Sequence, residues 1–412
     1  MTAHTVVVGG GPGGMFLAYL LARAGRPVTL LERHHDFDRD FRGDSLHPWT
    51  LELFDRLGIG ERLLDRPHVK AYSFRFHTPR GTVTTSEYRL LDTPRNYVAL
   101  MPQVRFLDFL AAEASAFDGF TLRTGARVTG LLTGPDETVT GVRYRDDAGE
   151  HELGADLVVA ADGRFSQVRR LAGIEPVSLG AQTDLLWFSL PHRDGDPEDA
   201  DVDLYLGDHH YIGLISGPGR WQIGYSLPKG GLSAARAAGV EPIRRFVAEQ
   251  VSWLADRVGL LEDFKQTTLL SVDISRVERW HAPGLLLIGD AAHVISPTGG
   301  NGILMALQDA LVAADRLVPA LEHGTPGEHV LAGIQADREP AIRQVQAAQV
   351  RVEHQVARAR ERGRPITPPG FLRLLTRIPA VRARSARSNA YGPNPPVPGP
   401  DLCRALELTT TG

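Results

Sequence analysis

Cysteine is almost missing from this 412-residue chain. Cys403 is its only one, which excludes an internal disulfide, a cysteine-ligated metal cluster and a dithiol redox pair. Neither sign of charge dominates: 45 Lys and Arg stand against 49 Asp and Glu, for a net charge of −4, and no basic block occurs. A nucleic acid partner is therefore not expected. No apolar run approaches the roughly 18 residues that would span a bilayer. The first strand-like run begins at Thr5, leaving no room before it for a signal peptide, so a cytoplasmic protein is expected. Internal repeats are also lacking.

The hydrophobic fraction of 42% and charged fraction of 23% are those of an ordinary soluble globular chain. The length exceeds one usual hydrophobic core, so about two or three lobes are expected. Near the start, Val6-Val7-Val8 runs into Gly9-Gly10-Gly11-Pro12-Gly13-Gly14, a G-x-G-x-x-G turn after a buried strand. In such a turn Gly9 allows the tight reversal and Gly11 lets the backbone approach a pyrophosphate. Gly14 lets the next helix pack closely, and the phosphates sit at the helix N-terminus. Glu32 closes the next apolar run, at the spacing of about 20 residues expected for an acid that accepts from a ribose hydroxyl. An ordinary glycine turn would not require Glu32. The first unit reads as dinucleotide-binding.

A coarse reading of the rest alternates between periods. Residues 5–32 form a βαβ unit with its helix from Met15, and residues 48–57 and 104–115 read as helices. Residues 72–76, 122–128, 141–145 and 157–161 read as strands, as do 185–190, 203–206, 211–215 and 221–227. The later group looks like a second sheet inserted into the nucleotide-binding part. Residues 302–317 are helical, and a polar helix is expected over 337–362. The nine prolines from Pro365 to Pro400 predict an irregular end that hugs the surface.

Two further motifs complete a set. Asp162-Gly163-Arg164-Phe165-Ser166-Gln167-Val168-Arg169 follows a buried strand, and Gly289-Asp290-Ala291-Ala292-His293 is followed by Pro297, Gly299, Gly300, Asn301, Gly302 and Ile303. With Gly9 to Glu32, these three in order resemble the single-component FAD-dependent monooxygenases, the group that includes p-hydroxybenzoate hydroxylase and the tetracycline-inactivating enzymes. The resemblance covers residues 3–320. It implies an α/β fold: a three-layer, Rossmann-like FAD-binding domain (1–70, 100–180 and 271–335), an inserted β-sheet substrate domain (71–99 and 181–270), and a C-terminal helix with a proline-rich tail (336–412).

The resemblance also implies the chemistry: FAD is reduced by NADPH or NADH as a visiting co-substrate, dioxygen forms a flavin C4a hydroperoxide, and one oxygen passes to an aromatic or polyketide substrate. Only one dinucleotide fingerprint is present, which suits a nicotinamide cofactor that binds transiently. The W-x-W-x-I-P pattern of flavin halogenases is missing. Cofactor contacts are implied at Gly9, Gly11, Pro12, Gly13, Gly14, Glu32, Arg33, Arg42, Gln103, Val128, Asp162, Gly163, Asp290, Pro297, Gly300, Gly302 and Ile303, with Arg105 as a further candidate. Asp290 would accept from a ribityl hydroxyl, and the helix opened by residues 297–303 would stabilise charge on the reduced flavin. Arg42 and His47 are the catalytic candidates, His47 as a base for a phenol.

Trp187, Tyr211, Trp221 and Tyr225 of the inserted sheet, with Pro297, are the substrate candidates, although alternation can turn only about half of such side chains inward. Ordinary core packing is the competing reading for each. Two positions depart from the family: Asn301 stands where relatives carry glutamine, and Leu304 where they carry an asparagine that bonds the flavin, a bond leucine cannot make. A reductase of the same fold and a non-catalytic flavin-binding protein remain open alternatives, as do a monomer and a homodimer.

Overall fold

The computed structural model describes residues 3–38, 44–197, 201–297, 299–363, 366 and 370–408. Its centre is a six-stranded sheet in the order His281–Ala282, Leu285–Leu287, Leu157–Ala160, Thr5–Val8, Val28–Leu31, Phe120–Arg123. All neighbours are parallel except the His281–Ala282 edge, and Val8 pairs with both Ala160 and Leu31. Thr5–Val8, Val28–Leu31 and Leu157–Ala160 are buried at every residue, because the sheet is covered on both faces and cannot alternate apolar with polar.

One face is covered by the helices Pro12–Arg23, Gln103–Ala114 and Gly302–Ala320. The other carries an antiparallel meander of Arg127–Thr133, Val139–Asp146 and Gly149–Gly154. These are the three layers of the expected nucleotide-binding fold. Phe16, Phe54 and Phe106 stack in series between the helices, with centroids 5.3 and 5.8 Å apart.

The second sheet has seven strands, in the order Thr268–Leu270, Thr183–Pro191, Arg220–Pro228, Tyr211–Gly217, Val202–Leu206, Ser73–Thr78, Gly81–Glu87. Two distant segments join in it: Val202–Leu206 pairs in parallel with Ser73–Thr78, Val202 opposite Phe74. Period-2 alternation then sorts its side chains. Leu186, Phe188, Trp221, Ile223 and Tyr225 face the amphipathic helix Glu241–Gln250 and form a core with Ile243 and Val247. Leu185, Trp187, Ile215 and Gln222 lie on the opposite face.

Three sequence expectations are corrected. Residues 122–128 are two strands in different layers, Phe120–Arg123 in the parallel sheet and Arg127–Thr133 in the meander, because the chain turns through Gly125 at φ 69°. The long helix begins earlier, as Glu328–Glu361, since Leu331 and Ile334 of its first turns are buried. The proline-rich end is not irregular: it holds helices Gly370–Leu375, Pro379–Tyr391 and Pro400–Ala405. Two of these have proline in the first turn, where its missing N–H costs nothing. Leu402, Cys403 and Leu406 enter the main core, and Ala386 and Ala390 are fully buried under the Gly81–Glu87 region.

Candidate active site

The three motifs meet because the parallel strands all end at one edge of the sheet. Thr5–Val8 delivers Gly9 to Gly14, Leu157–Ala160 delivers Asp162 and Gly163, and Leu285–Leu287 delivers Gly289 and Asp290. Gly9 sits at φ 106°, where a Cβ would stand 2.5 Å from the Ala161 carbonyl oxygen. A Cβ on Gly14 would lie 2.1 Å from the Gly9 oxygen, so close packing of helix on strand requires glycine there. A Cβ on Gly11 would meet nothing within 4 Å and would project into a cavity of about 380 Å³.

That cavity is lined by Gly9, Gly11, Pro12, Gly13, Gly14, Glu32, Arg33, Gln103, Val128, Asp162, Gly163, Asp290, Pro297, Gly300, Gly302 and Ile303. Every cofactor residue implied by the family resemblance is thus gathered here except the further candidate Arg105 and Arg42, the latter outside the described residues. Two helix N-termini open onto the cavity without a side-chain cap, at Gly11 and at Asn301, so free backbone N–H groups are available for anionic groups. The donor set fits FAD: uncapped N–H groups and open glycines for phosphates, and carboxylates for hydroxyls.

The acids differ in how they are held. Glu32 accepts from the Gly10 N–H at 2.8 Å and the His34 N–H at 3.0 Å. Asp162 accepts from Ser166 Oγ at 2.5 Å and from the N–H groups of Gln167 and Val168 at 2.7 and 3.1 Å, capping the helix Gln167–Leu171. Arg169 is buried and donates to the carbonyls of Ala291 at 2.8 Å and Arg164 at 3.0 Å, which ties the second motif to the third. Asp290 is an exposed wall residue.

Behind the third motif lies a fully buried ionic cluster. Asp309 accepts from the Gly289 N–H at 3.0 Å, from His293 Nε2 at 2.6 Å and from Arg338 Nε at 2.8 Å. Burial alone would raise the Asp309 carboxyl, but the charges and hydrogen bonds of His293 and Arg338 hold it below the ordinary range. His293 thus supports the loop from beneath.

Several sequence candidates fall elsewhere. His47 does not line the cavity: it is 2% exposed, precedes the helix Pro48–Arg56, and donates from Nε2 to the Gly300 carbonyl at 3.3 Å. Burial lowers its imidazole to about 4, against that hydrogen bond, so it is neutral at pH 7 and holds the 299–302 turn instead of meeting a phenol. Arg105 is a helix-end cation whose Nη1 reaches the Pro67 carbonyl. Trp187 lines the cavity, but Trp221 and Tyr225 point to the opposite face of their sheet and Tyr211 packs with Leu185, Leu206 and Ile366. Leu304 is fully buried in the core, and its neighbours Ile303 and Ala306 form the wall. The Asn301 Oδ1 is buried and has no hydrogen-bond partner among the described residues.

The geometry also supplies residues not singled out from sequence. Asp44, Ser45, Arg164, Gln222, Leu270, Val272 and Ser296 all line the cavity. Asp44 lies two residues after the candidate Arg42. Gln222 lies on the face opposite its aromatic neighbour Trp221, as strict alternation requires. Trp187 can lie across the sheet because Gly224 stands opposite it, where a Cβ would come 2.9 Å from the indole.

Comparison with known proteins agrees with this geometry. Residues 2–349 match the family described as FAD binding domain. The chain is 35% identical over 396 residues, 95% of its length and 93% of the relative's, to a 6-methylpretetramide 4-monooxygenase of Streptomyces rimosus. It is 29% identical to a rifampicin monooxygenase of Streptomyces venezuelae, over 82% of this chain and 69% of the other. In fold it resembles the p-nitrophenol 4-monooxygenase of Pseudomonas putida, with a TM-score of 0.76 at 19% identity over 95% of this chain and 99% of that one. The three motifs, the layered fold and these likenesses together place the chain in the FAD binding domain family, among the FAD-dependent aromatic monooxygenases.

Proposed function

We propose that this enzyme uses NADPH or NADH and dioxygen to hydroxylate a polycyclic aromatic small molecule of polyketide type, in secondary metabolism. The observation that carries the reading is the continuity of one cavity from the glycine-rich turns to the face of the seven-stranded sheet bearing Trp187, Ile215, Gln222 and Leu270. A flat, largely apolar wall suits a fused-ring substrate. The identity across nearly the whole chain to a monooxygenase named for 6-methylpretetramide supports the same class.

When bound, FAD supplies two-electron reduction and the activation of dioxygen for transfer of one oxygen atom. The chain's own groups do the rest. The N–H groups of Gly11, Gly13 and Gly14 would hold the pyrophosphate, Glu32 a ribose hydroxyl and Asp290 a ribityl hydroxyl. The N-terminus of Gly302–Ala320 would stabilise negative charge on the reduced flavin ring. The seven-stranded sheet, built from segments within 71–99 and 181–270, is the substrate side, and the layered sheet the cofactor side.

An anaerobic visible spectrum of the FAD-loaded protein, taken before and after NADPH with a panel of polycyclic phenols, tests the reading. Bleaching of the flavin accelerated by one phenol, followed by incorporation of one ¹⁸O atom from labelled dioxygen, is the expected result. Bleaching without ¹⁸O in any product would point to a reductase, and a flavin that stays oxidised to a non-catalytic role.

A further inference from the structure

Of the four carboxylates that described residues bring to the cavity wall, Asp44 is the one hydrogen-bonded to the substrate-side sheet. Its Oδ2 accepts from Gln222 Nε2, and its Oδ1 accepts a long, 3.3 Å hydrogen bond from the Gln103 N–H. A carboxylate can accept about four hydrogen bonds, so among the described residues lone pairs on both oxygens are left over beside an apolar wall that contains Trp187, Ile215 and Leu270. A half-satisfied anion in a partly buried site is costly, and a ligand that donates a proton or hydrogen bond relieves that cost. The charge acting on Asp44 among the described residues is that of Arg220, which opens the strand Arg220–Pro228 carrying Gln222.

Resting on the hydroxylase reading, we propose that Asp44 is a catalytic residue that binds a phenolic hydroxyl of the substrate and accepts its proton, with Gln222 as the positioning residue that holds the carboxylate. In that step the phenol O–H bond breaks, its electron pair stays on oxygen, and the proton joins an Asp44 oxygen; nothing is oxidised or reduced. The transfer is uphill for a resting phenol. It becomes downhill as an electrophilic oxygen approaches the ring and draws electrons from the hydroxyl. Burial raises the Asp44 carboxyl to about 6, against the hydrogen bonds from Gln222 and Gln103 and the charge of Arg220. A base so placed is ionised at neutral pH yet stronger than an ordinary aspartate.

The test compares 2,6-dihydroxyanthraquinone with its dimethyl ether, titrated by absorbance into FAD-loaded wild type, Asp44→Asn and Asp44→Ala. Wild type is expected to favour the diol by about tenfold, and Asp44→Ala to bind the two within about threefold; one lost hydrogen bond to a charged group accounts for that difference. In single turnover with the diol, Asp44→Asn, which preserves shape, should hydroxylate about hundredfold more slowly and lose the limb that rises with pH near 6. An unchanged preference for the diol in both variants, or no binding of the diol by wild type, overturns the binding role. A wild-type rate and pH limb in Asp44→Asn overturn the proton role. Wild type that binds the diol but transfers no oxygen defeats the hydroxylase reading alone, and the binding comparison then still decides Asp44.

Discussion

His47 shows how a single buried side chain sets an acid limit. Its imidazole has an ordinary pKa near 6.5 in the unfolded chain and a folded value lowered to about 4. Between those values the unfolded state binds the extra proton, so this contribution to stability is fully present above about 6.5 and is lost as pH falls toward 4. His47→Gln, which can still donate to Gly300, should remove that dependence. The difference in urea stability between wild type and variant is expected to change by about 1.4 kcal/mol per pH unit inside the window and to be flat above it. A difference that is flat from pH 4 to 8 would mean that His47 titrates in the fold as it does in the unfolded chain.

Among the elements, the helix Gly302–Ala320 does the most to place the site. Its N-terminus faces the cavity, its first turns pack beneath the glycine-rich helix, and its middle carries Asp309 into the core. The long helix Glu328–Glu361 crosses behind it and supplies Arg338, 1% exposed, to that acid. Arg338→Met keeps the bulk and removes the charge. It should cost about 3–5 kcal/mol in urea unfolding, because Asp309 is left buried with only His293 to balance it. A cost below about 1 kcal/mol would show that water reaches Asp309. The Asp309 carboxyl is held below its ordinary range, so this cluster stabilises the fold above the unfolded aspartate value near 3.9 and fails as pH drops through its lower folded value.

The molecule as a whole closes through its C-terminus. Pro400–Ala405 docks on Gly302–Ala320, Trp49 Nε1 donates to the Pro396 carbonyl at 3.1 Å, and Tyr391 Oη donates to Glu52 at 2.6 Å. The final segment therefore belongs to the core that carries the cofactor side. Leu402→Ala should destabilise by about 2–5 kcal/mol, whereas Val397→Ala, at a residue 73% exposed, should stay within about 0.5 kcal/mol. Equal and small losses, measured by thermal unfolding, would show the tail to be an appendage.

What could be read from the chain alone was whatever depends on local backbone chemistry. The G-x-G-x-x-G turn, the Asp162-Gly163 and Gly289-Asp290 strand ends and the period-2 text of the second sheet each need particular residue types at short spacing, and each lies where it was expected. Sixteen implied cofactor positions therefore converge on one wall. Tertiary structure alone decided which polar side chains meet across long separations. Asp44 reaches Gln222, 178 residues away, only because the inserted sheet folds back over the strand ends. His47 lost its place as a base, and Trp221 and Tyr225 theirs as wall residues, because burial and the side of a sheet a residue faces are set by what packs there. No local pattern around Pro393, Pro395 and Pro396 announces that the chain beyond them will fill a groove, since that groove is made by helices from the rest of the molecule.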